Sequence, residues 1–292
     1  MIELNYVSIL ILLIGMVILL AIIWVLVYIS VNCLKHTRYE IETSKLPDSM
    51  DNLKIIHITD VHSKIFGKEN LKVINLINEI NPDIVIMTGD IISKFESNID
   101  NFISMYKDIY IKYPVYYSIG NHERKLGYKK YKYYIEQLKK LGVRVIINGT
   151  EKYYKGNDYI VINALKFREN MQPKRLTNEK REKYIRFMQN KLGDIDNTKL
   201  NILLAHDPEN YKMYKDLGVD LIFSGHIHGG LIRIGKICLL SPRKHFFPKY
   251  SYGVHTEDGI SIVTSSGMGP ARIKIRLFNR PEIVEVKLTR SK

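Results

Sequence analysis

The chain is read as an α/β protein preceded by one apolar helix, and three features of the sequence predict this. No charged side chain occurs between Glu3 and Lys35. From residue 53 to 224, isoleucine-rich runs alternate with segments whose apolar residues recur at helical spacing. After residue 225 the pattern changes to short strands and turns. Alternating strand and helix calls for crossover connections and mainly parallel pairing. The later short strands predict a second, partly antiparallel sheet packed on the first.

The first 34 residues contain "ILILLIGMVILLAIIWVLVYI". A helix rises about 1.5 Å per residue, so roughly 20 apolar residues cross the hydrocarbon core, and a helix satisfies its own backbone there. A cleaved signal peptide would want a basic start, a shorter apolar run and small residues at a cut site. The sequence offers none of these, so residues 1–34 are expected to be a retained membrane anchor. Lys35, Arg38 and Lys45 follow the run and no basic residue precedes it. That bias predicts a cytoplasmic catalytic domain, with an extracytoplasmic one as the alternative. Residues 35–52 read as a polar connector, and residues 53–292 as one domain.

Within that domain "LKIIHIT" (53–59) suits a buried strand, and a helical pattern over 69–80 ends before Pro82. Further strands are expected at 83–88, 115–119, 143–147, 159–164, 200–205 and 219–224. Helical patterns fill 99–111, 128–141, 178–192 and 208–217. Tyr131, Tyr134, Ile135 and Leu138 form the inward stripe of one of these helices. Short strands are then expected in "LIRIG", "KICLLSP", "ISIVTSSG" and "EIVEVKL".

Composition excludes some classes. With only Cys33 and Cys238, there is neither a disulfide framework nor a thiolate zinc site. The net charge of +14 suggests nucleic acid, but no helix-turn-helix, zinc-finger or RNA-binding signature accompanies it. Anionic headgroups or phosphate-bearing substrates explain the same charge, and nucleic acid is not the expected partner.

The functional signal lies at the strand exits, where open α/β sheets gather their chemistry. The strands at 53–59 and 83–88 exit into Asp60-Val-His62 and Gly89-Asp90. The strand at 115–119 exits into Gly120-Asn121-His122-Glu123, and the one at 200–205 into His206-Asp207. The strand at 219–224 exits into "GHIHGG", which contains His226 and His228. Side chains two apart on extended backbone point the same way, so Asp60 with His62, and His226 with His228, can each form a pincer. Taken singly these are turns, caps or chance histidines. Together they present only imidazole, carboxylate and amide groups, a set suited to Mn, Fe, Zn or Co. Seven such donors exceed one ion and fit two ions that share a carboxylate. Two cations roughly 3.5–4 Å apart can clamp a phosphate and activate a water.

"DVH", "GD", "GNHE", the histidine of "AHDP" and "GHIHGG" resemble the five motifs of the calcineurin-like metallophosphoesterases, in order and spacing, across about residues 53–230. "FFPKYSYG" and "LFNRPEIVEV" are similar to a bacterial membrane-anchored branch related to UDP-2,3-diacylglucosamine hydrolases. The resemblance implies a four-layer αββα sandwich with a binuclear site, manganese being the favoured metal. It implies Asp60, His62, Asp90 and His228 around the first ion. It implies Asp90, Asn121, His206 and His226 around the second, with Asp90 as the bridge. His122 matches the family's catalytic histidine, which is not a ligand. Asp207 departs from the pattern, since relatives in this branch often carry a basic residue there.

The function implied is hydrolysis of phosphate ester or pyrophosphate bonds, with a lipid-linked substrate favoured by the anchor. The alternatives are a non-catalytic adaptor, which should have eroded ligands, and a nuclease, suggested by the high pI. His57 is expected to pack under the site, and His36, His245 and His255 to lie at the membrane edge or in surface loops. Arg272, Lys274 and Arg276 alternate along "RIKIR" as one basic strand face, expected either to contact an anionic substrate or to guard an exposed strand edge.

Overall fold

In the computed structural model, residues 6–166, 177–270 and 276–291 are described. Helix α1 (Tyr6–Asn32) carries the apolar run and projects from the domain with its side chains exposed. Only two residues separate it from strand β1 (Lys35–Thr43). The expected connector is therefore largely absent. Residues 35–43 pair in parallel with the last strand of the chain, from Lys35 opposite Glu282 to Thr43 opposite Arg290. Polar side chains mislead at this position because an edge strand needs to bury only one face.

Strand β2 (Leu53–Ile58), helix α2 (Leu71–Ile80) and strand β3 (Ile84–Met87) follow in order. The single helix expected at 99–111 is broken into α3 (Ile99–Ser104) and α4 (Lys107–Lys112). Next come β4 (Val115–Ser118), the one-turn α5 (Asn121–Arg124), α6 (Tyr128–Lys140) and β5 (Arg144–Ile146). Strand β6 (Asn148–Lys155) was not legible, because "NGTEKYYK" has no apolar alternation. After it come β7 (Asp158–Leu165), α7 (Asn178–Leu192), β8 (Asn201–Ala205), the short α8 (Tyr211–Tyr214) and β9 (Leu221–Ser224). The chain ends with β10 (Ile232–Ile234), β11 (Ile237–Leu240), β12 (Gly253–Glu257), β13 (Ile260–Thr264) and β14 (Glu282–Arg290).

These strands form two six-stranded sheets and one hairpin. The first sheet has the order β1-β14-β2-β3-β4-β5, the second β12-β13-β9-β8-β7-β6. The second sheet is thus not confined to the C-terminal third of the chain: β7, β8 and β9 belong to it, while β14 returns to the first sheet, antiparallel to β2.

Strand alternation builds the layers. On β2, Ile56 and Ile58 face outward under α2, α3, α4 and α6, meeting Ile77, Phe102, Ile109 and Leu138. Ile55, one step away, faces inward with Ile84, Ile86 and Tyr116, against Ile162, Ile202, Leu204 and Phe223 of the second sheet. On the far side, Leu203, Ala205 and Ile222 pack under Met188 and Leu192 of α7 and Tyr211 of α8. The result is helix, sheet, sheet, helix. Of the inward stripe expected on α6, Tyr134, Ile135 and Leu138 are buried and Tyr131 is partly so. Arg272 and Lys274 lie outside the described residues. Arg276 corrects the exposed-edge expectation, since it is 1% exposed.

Candidate metal centre

The C-terminal ends of β2, β3, β4, β8 and β9 converge, and six of the seven donor residues expected from the sequence group there, with Asn121 following Gly120, whose N–H shares the Glu123 carboxylate with that of Asp90. Asp60, His62, Asp90, His226 and His228 take left-handed backbone conformations, with φ between 49° and 67°. Such conformations are costly for residues with a Cβ and cluster where function over-determines the backbone. They turn side chains that would otherwise continue along the strand toward one point. Gly225 lets β9 approach β2: a Cβ there would strike the Asp60 carboxylate and the Thr59 side chain. Gly120 is needed for the same reason, because its Cβ would strike the carboxylate of Asp90.

Two triads can each place ligand atoms within 4.8 Å of one another: Asp60, His62 and His228, and Asp90, His206 and His226. His62, Asp90 and His122 form a third group on the same criterion. His228 Nε2 lies 3.2 Å from His62 Nε2 and 3.4 Å from Asp60 Oδ1. Across the centre, His206 Nε2 lies 3.1 Å from His226 Nδ1 and 3.4 Å from Asp90 Oδ2. Asp90 Oδ2 is also 4.0 Å from His62 Nε2, so one carboxylate oxygen faces both triads. Its other oxygen accepts the backbone N–H of His122 at 2.7 Å.

Contacts behind the rings orient them. His206 Nδ1 is 2.7 Å from the Thr88 carbonyl and must donate to it, so Nε2 is the atom that faces the centre and Asp90, and it becomes a lone-pair donor once its proton is displaced. His228 Nδ1 lies between the Gly269 carbonyl at 3.3 Å and the donating Arg276 Nη2 at 3.1 Å, with Nε2 turned to the centre. Burial lowers His62 to about 4, with neighbouring charges adding smaller effects of both signs. Burial, then adjacent imidazoles, holds His226 and His228 well below the usual histidine range. All three are neutral, each with one nitrogen lone pair, and that of His226 is the Nε2 pair that accepts from Arg243. Burial also opposes a charge on His206, but Asp90 and Asp60 outweigh it and raise that histidine to about 10. Burial pushes Asp60 up to about 6 against the charge of His206. Asp90 is held well below the carboxylate range because His206 and His62 outweigh its burial.

The donor set fits divalent cations. Asp60 Oδ1 and Asn121 Oδ1 are buried acceptors without a hydrogen-bond donor, an arrangement that costs free energy unless a cation completes it. His122 stands beside the set, its ring centroid 4.3 Å from that of His62. Its Nδ1 accepts the Lys94 N–H at 3.3 Å, so in the neutral ring the proton sits on Nε2. Burial lowers its pKa, partly countered by Asp90. His57 lies beneath the centre as expected, fully buried, with Nε2 2.8 Å from Thr88 Oγ1.

Three contributors were not assigned to the site from the sequence. Glu123 is fully buried and accepts the N–H groups of Asp90, Ile91 and Gly120 at 2.9, 2.8 and 3.0 Å. Arg276 donates to the Gly267, Ser266 and Gly269 carbonyls behind His228. Arg243, from the loop after β11, places Nη2 2.5 Å from His226 Nε2 and 3.1 Å from Asp207 Oδ2. A basic group therefore does reach Asp207, but from thirty-six residues downstream. Glu123 had a signal in "GNHE". The two arginines had none, because long-range contacts place them.

Comparison with known proteins agrees with the motif spacing. The family model described as calcineurin-like phosphoesterase matches residues 53–230. A metallophosphoesterase of Campylobacter jejuni is 28% identical over 269 residues, covering 90% of this chain and 66% of the relative. A Danio rerio protein named as a transmembrane protein with a metallophosphoesterase domain is 24% identical over 256 residues, covering 85% of this chain and 56% of the relative. The chain thus spans about two thirds of the first relative and little more than half of the second. Among solved structures, phosphopantetheinyl hydrolase of Mycobacterium tuberculosis superposes with a TM-score of 0.45 at 13% identity, over 73% of this chain and 88% of that one.

Proposed function

Because the chain belongs to the calcineurin-like phosphoesterase family, we propose that it is a membrane-anchored hydrolase of phosphate ester or pyrophosphate bonds that works with two divalent cations. The observation that carries this reading is the meeting of two donor triads on either side of one Asp90 oxygen. Asp60, His62, His228 and Asp90 would hold one cation, and Asp90, Asn121, His206 and His226 the other. Manganese is the first choice, with iron, zinc and cobalt compatible with the same donors. Bound cations would neutralise phosphate oxygens and lower the pKa of a water nucleophile.

The rest is done by the chain itself. Asp90 is ionised and fixed by the His122 N–H, so it keeps its orientation as substrate enters. His122 presents Nε2–H beside the centre, where it can donate to a phosphoryl oxygen or to the departing oxygen. The Arg243 guanidinium adds positive charge at the edge of the second triad, and Asp207 and Glu209 hold it there. Positioning and charge complementarity of this kind supply most of the acceleration in phosphoryl transfer.

Helix α1 is the proposed anchor, and Lys35, Arg38 and Lys45 beyond it favour a cytoplasmic domain. An anchor immediately beside the domain favours a lipid-linked substrate.

Hydrolysis of a panel of phosphomonoesters, phosphodiesters and lipid pyrophosphates by metal-stripped protein is the test. Activity is expected to return only on addition of a divalent ion. Full activity in the stripped protein would sink the reading. His122→Ala is expected to lower kcat by about 10²–10⁴-fold while metal content by elemental analysis stays at the wild-type level. Loss of metal from that variant would make His122 a ligand instead.

A further inference from the structure

We propose that the rim of the metal centre is a bilayer-docking surface. On this view Ile65, Phe95 and Phe278, with Lys64 and Lys94, sit in the headgroup layer of the membrane that holds α1. The site would then open at the depth of lipid phosphates, and its substrate class would be amphiphiles that present a phosphate there. This rests on the anchored-phosphoesterase reading and specifies where that enzyme meets its substrate.

The argument begins with depth. Trp24 and Tyr28 stack near the C-terminal end of α1, with ring centroids 5.7 Å apart, and such aromatics favour the membrane–water boundary. Ser30 lies six residues beyond Trp24, about 9 Å along the helix, where a headgroup layer of roughly 5–7 Å is being crossed.

At this level the helix is bonded to the loops of the centre. Phe278 N donates to Ser30 Oγ at 3.0 Å, and Lys64 Nζ donates to the Val31 carbonyl. Arg280 donates to the carbonyls of Cys33 and Leu34 at 3.0 and 3.1 Å. With β1 starting two residues after α1, no slack separates helix from domain.

Short paths lead from these contacts to the chemistry. Lys64 is two residues past His62. Ser93 N donates to Ser63 Oγ at 3.0 Å, and the next residue, Lys94, donates its N–H to His122 Nδ1 at 3.3 Å. Arg276, two residues before Phe278, shares the Gly269 carbonyl with His228. The same loops carry large apolar side chains in the open: Phe95 is 81% exposed, Phe278 52% and Ile65 46%. Lys64 and Lys94 lie over the neighbouring rings of Phe66 and Phe95, at 4.9 and 4.7 Å. Cationic and aromatic side chains in alternation suit an anionic interface. Continuity with α1 identifies the occupant as the same bilayer.

The test uses the full chain in vesicles of phosphatidylethanolamine and phosphatidylglycerol, in a Trp24→Phe background. Tryptophan is introduced as Phe95→Trp or, at the opposite end of the strands, as Tyr154→Trp. The neighbour of Tyr154, Lys155, pairs with Asp83 at the start of β3, remote from Asp90. Acyl-brominated lipids are expected to quench the tryptophan at 95 and shift its emission to the blue, leaving that at 154 unchanged. Equal, water-like emission at both positions would overturn the proposal. A second arm compares Phe95→Ser with wild type on a vesicle-borne phosphodiester and a water-soluble aryl phosphodiester. Loss on the first with retention on the second supports docking, and equal rates on both oppose it. A wild-type protein that cleaves neither substrate would sink the phosphoesterase reading, while the quenching result would still decide the docking.

Discussion

Asp90→Asn is expected to abolish phosphoesterase activity and to lower bound metal from about two ions per chain to one or fewer. The substitution keeps shape and volume. Oδ1 already accepts the His122 N–H, so an asparagine would keep its oxygen there and turn its amide nitrogen toward His206 and His62. That replaces a shared anionic oxygen with a donor that no cation accepts. His62 Nε2 and His206 Nε2 would then face N–H groups and not the shared oxygen of a metal pair. Removing hydrogen-bond partners behind metal ligands typically costs 10–100-fold, so losing the shared ligand itself should cost at least about a hundredfold in kcat. Elemental analysis of the purified variant, with kcat on the best substrate of the panel, checks both halves. Wild-type metal content would show that Asp90 is not the shared ligand.

The grouping of candidate donors was more legible than sheet membership, for a physical reason. Candidate metal donors belong to few residue types and sit at strand exits, so Asp60, His62, Asp90, Asn121, His206, His226 and His228 could be proposed from those exits and from the motif resemblance. Asp60, His62, Asp90, His226 and His228 take left-handed backbone where extended chain was expected, and the glycines at 120 and 225 mark where chains approach. Sheet membership is different. Nothing local in "LNILLA" distinguishes a strand of the second sheet from one of the first, and the return of β14 to lie beside β2 is a long-range choice. Strand β1 was missed because its partner lies more than two hundred residues away. Arg276 was misread for a related reason. Alternation along "RIKIR" suggests one exposed face, yet the carbonyls of residues 266, 267 and 269 form a buried socket that takes its guanidinium. Polar residues that bind backbone are the hardest to read, because a carbonyl socket leaves no trace in side-chain identity.

Glu123 shows what such a residue contributes, and Glu123→Ala is expected to destabilise the domain by about 4 kcal/mol, lowering Tm by about 10 °C. The carboxylate is a hub of five donors, the longest being the Ile92 N–H at 3.5 Å. Oε1 takes the Ile91 N–H and the Tyr117 hydroxyl at 2.8 and 2.6 Å, and Oε2 takes the N–H groups of Asp90 and Gly120 at 2.9 and 3.0 Å. Burial and the nearby Asp90 charge raise its pKa to about 7, opposed by Tyr117 and the backbone donors. With every neighbour donating, the ionised form is the one the geometry satisfies. Alanine would leave those donors buried and unpaired, at about 1–3 kcal/mol each before relaxation. Glu123→Gln separates charge from connectivity. Its amide nitrogen must face either the Ile91 and Tyr117 donors or the Asp90 and Gly120 donors, so it too should lose stability, by less than alanine. Because two of the bonds fix the loops that carry Asp90 and Asn121, both variants should bind metal more weakly as well. Thermal melts with and without added manganese check this: the ion should raise Tm less in either variant than in the wild type. Equal stabilisation of all three would show that Glu123 braces the fold without shaping the site.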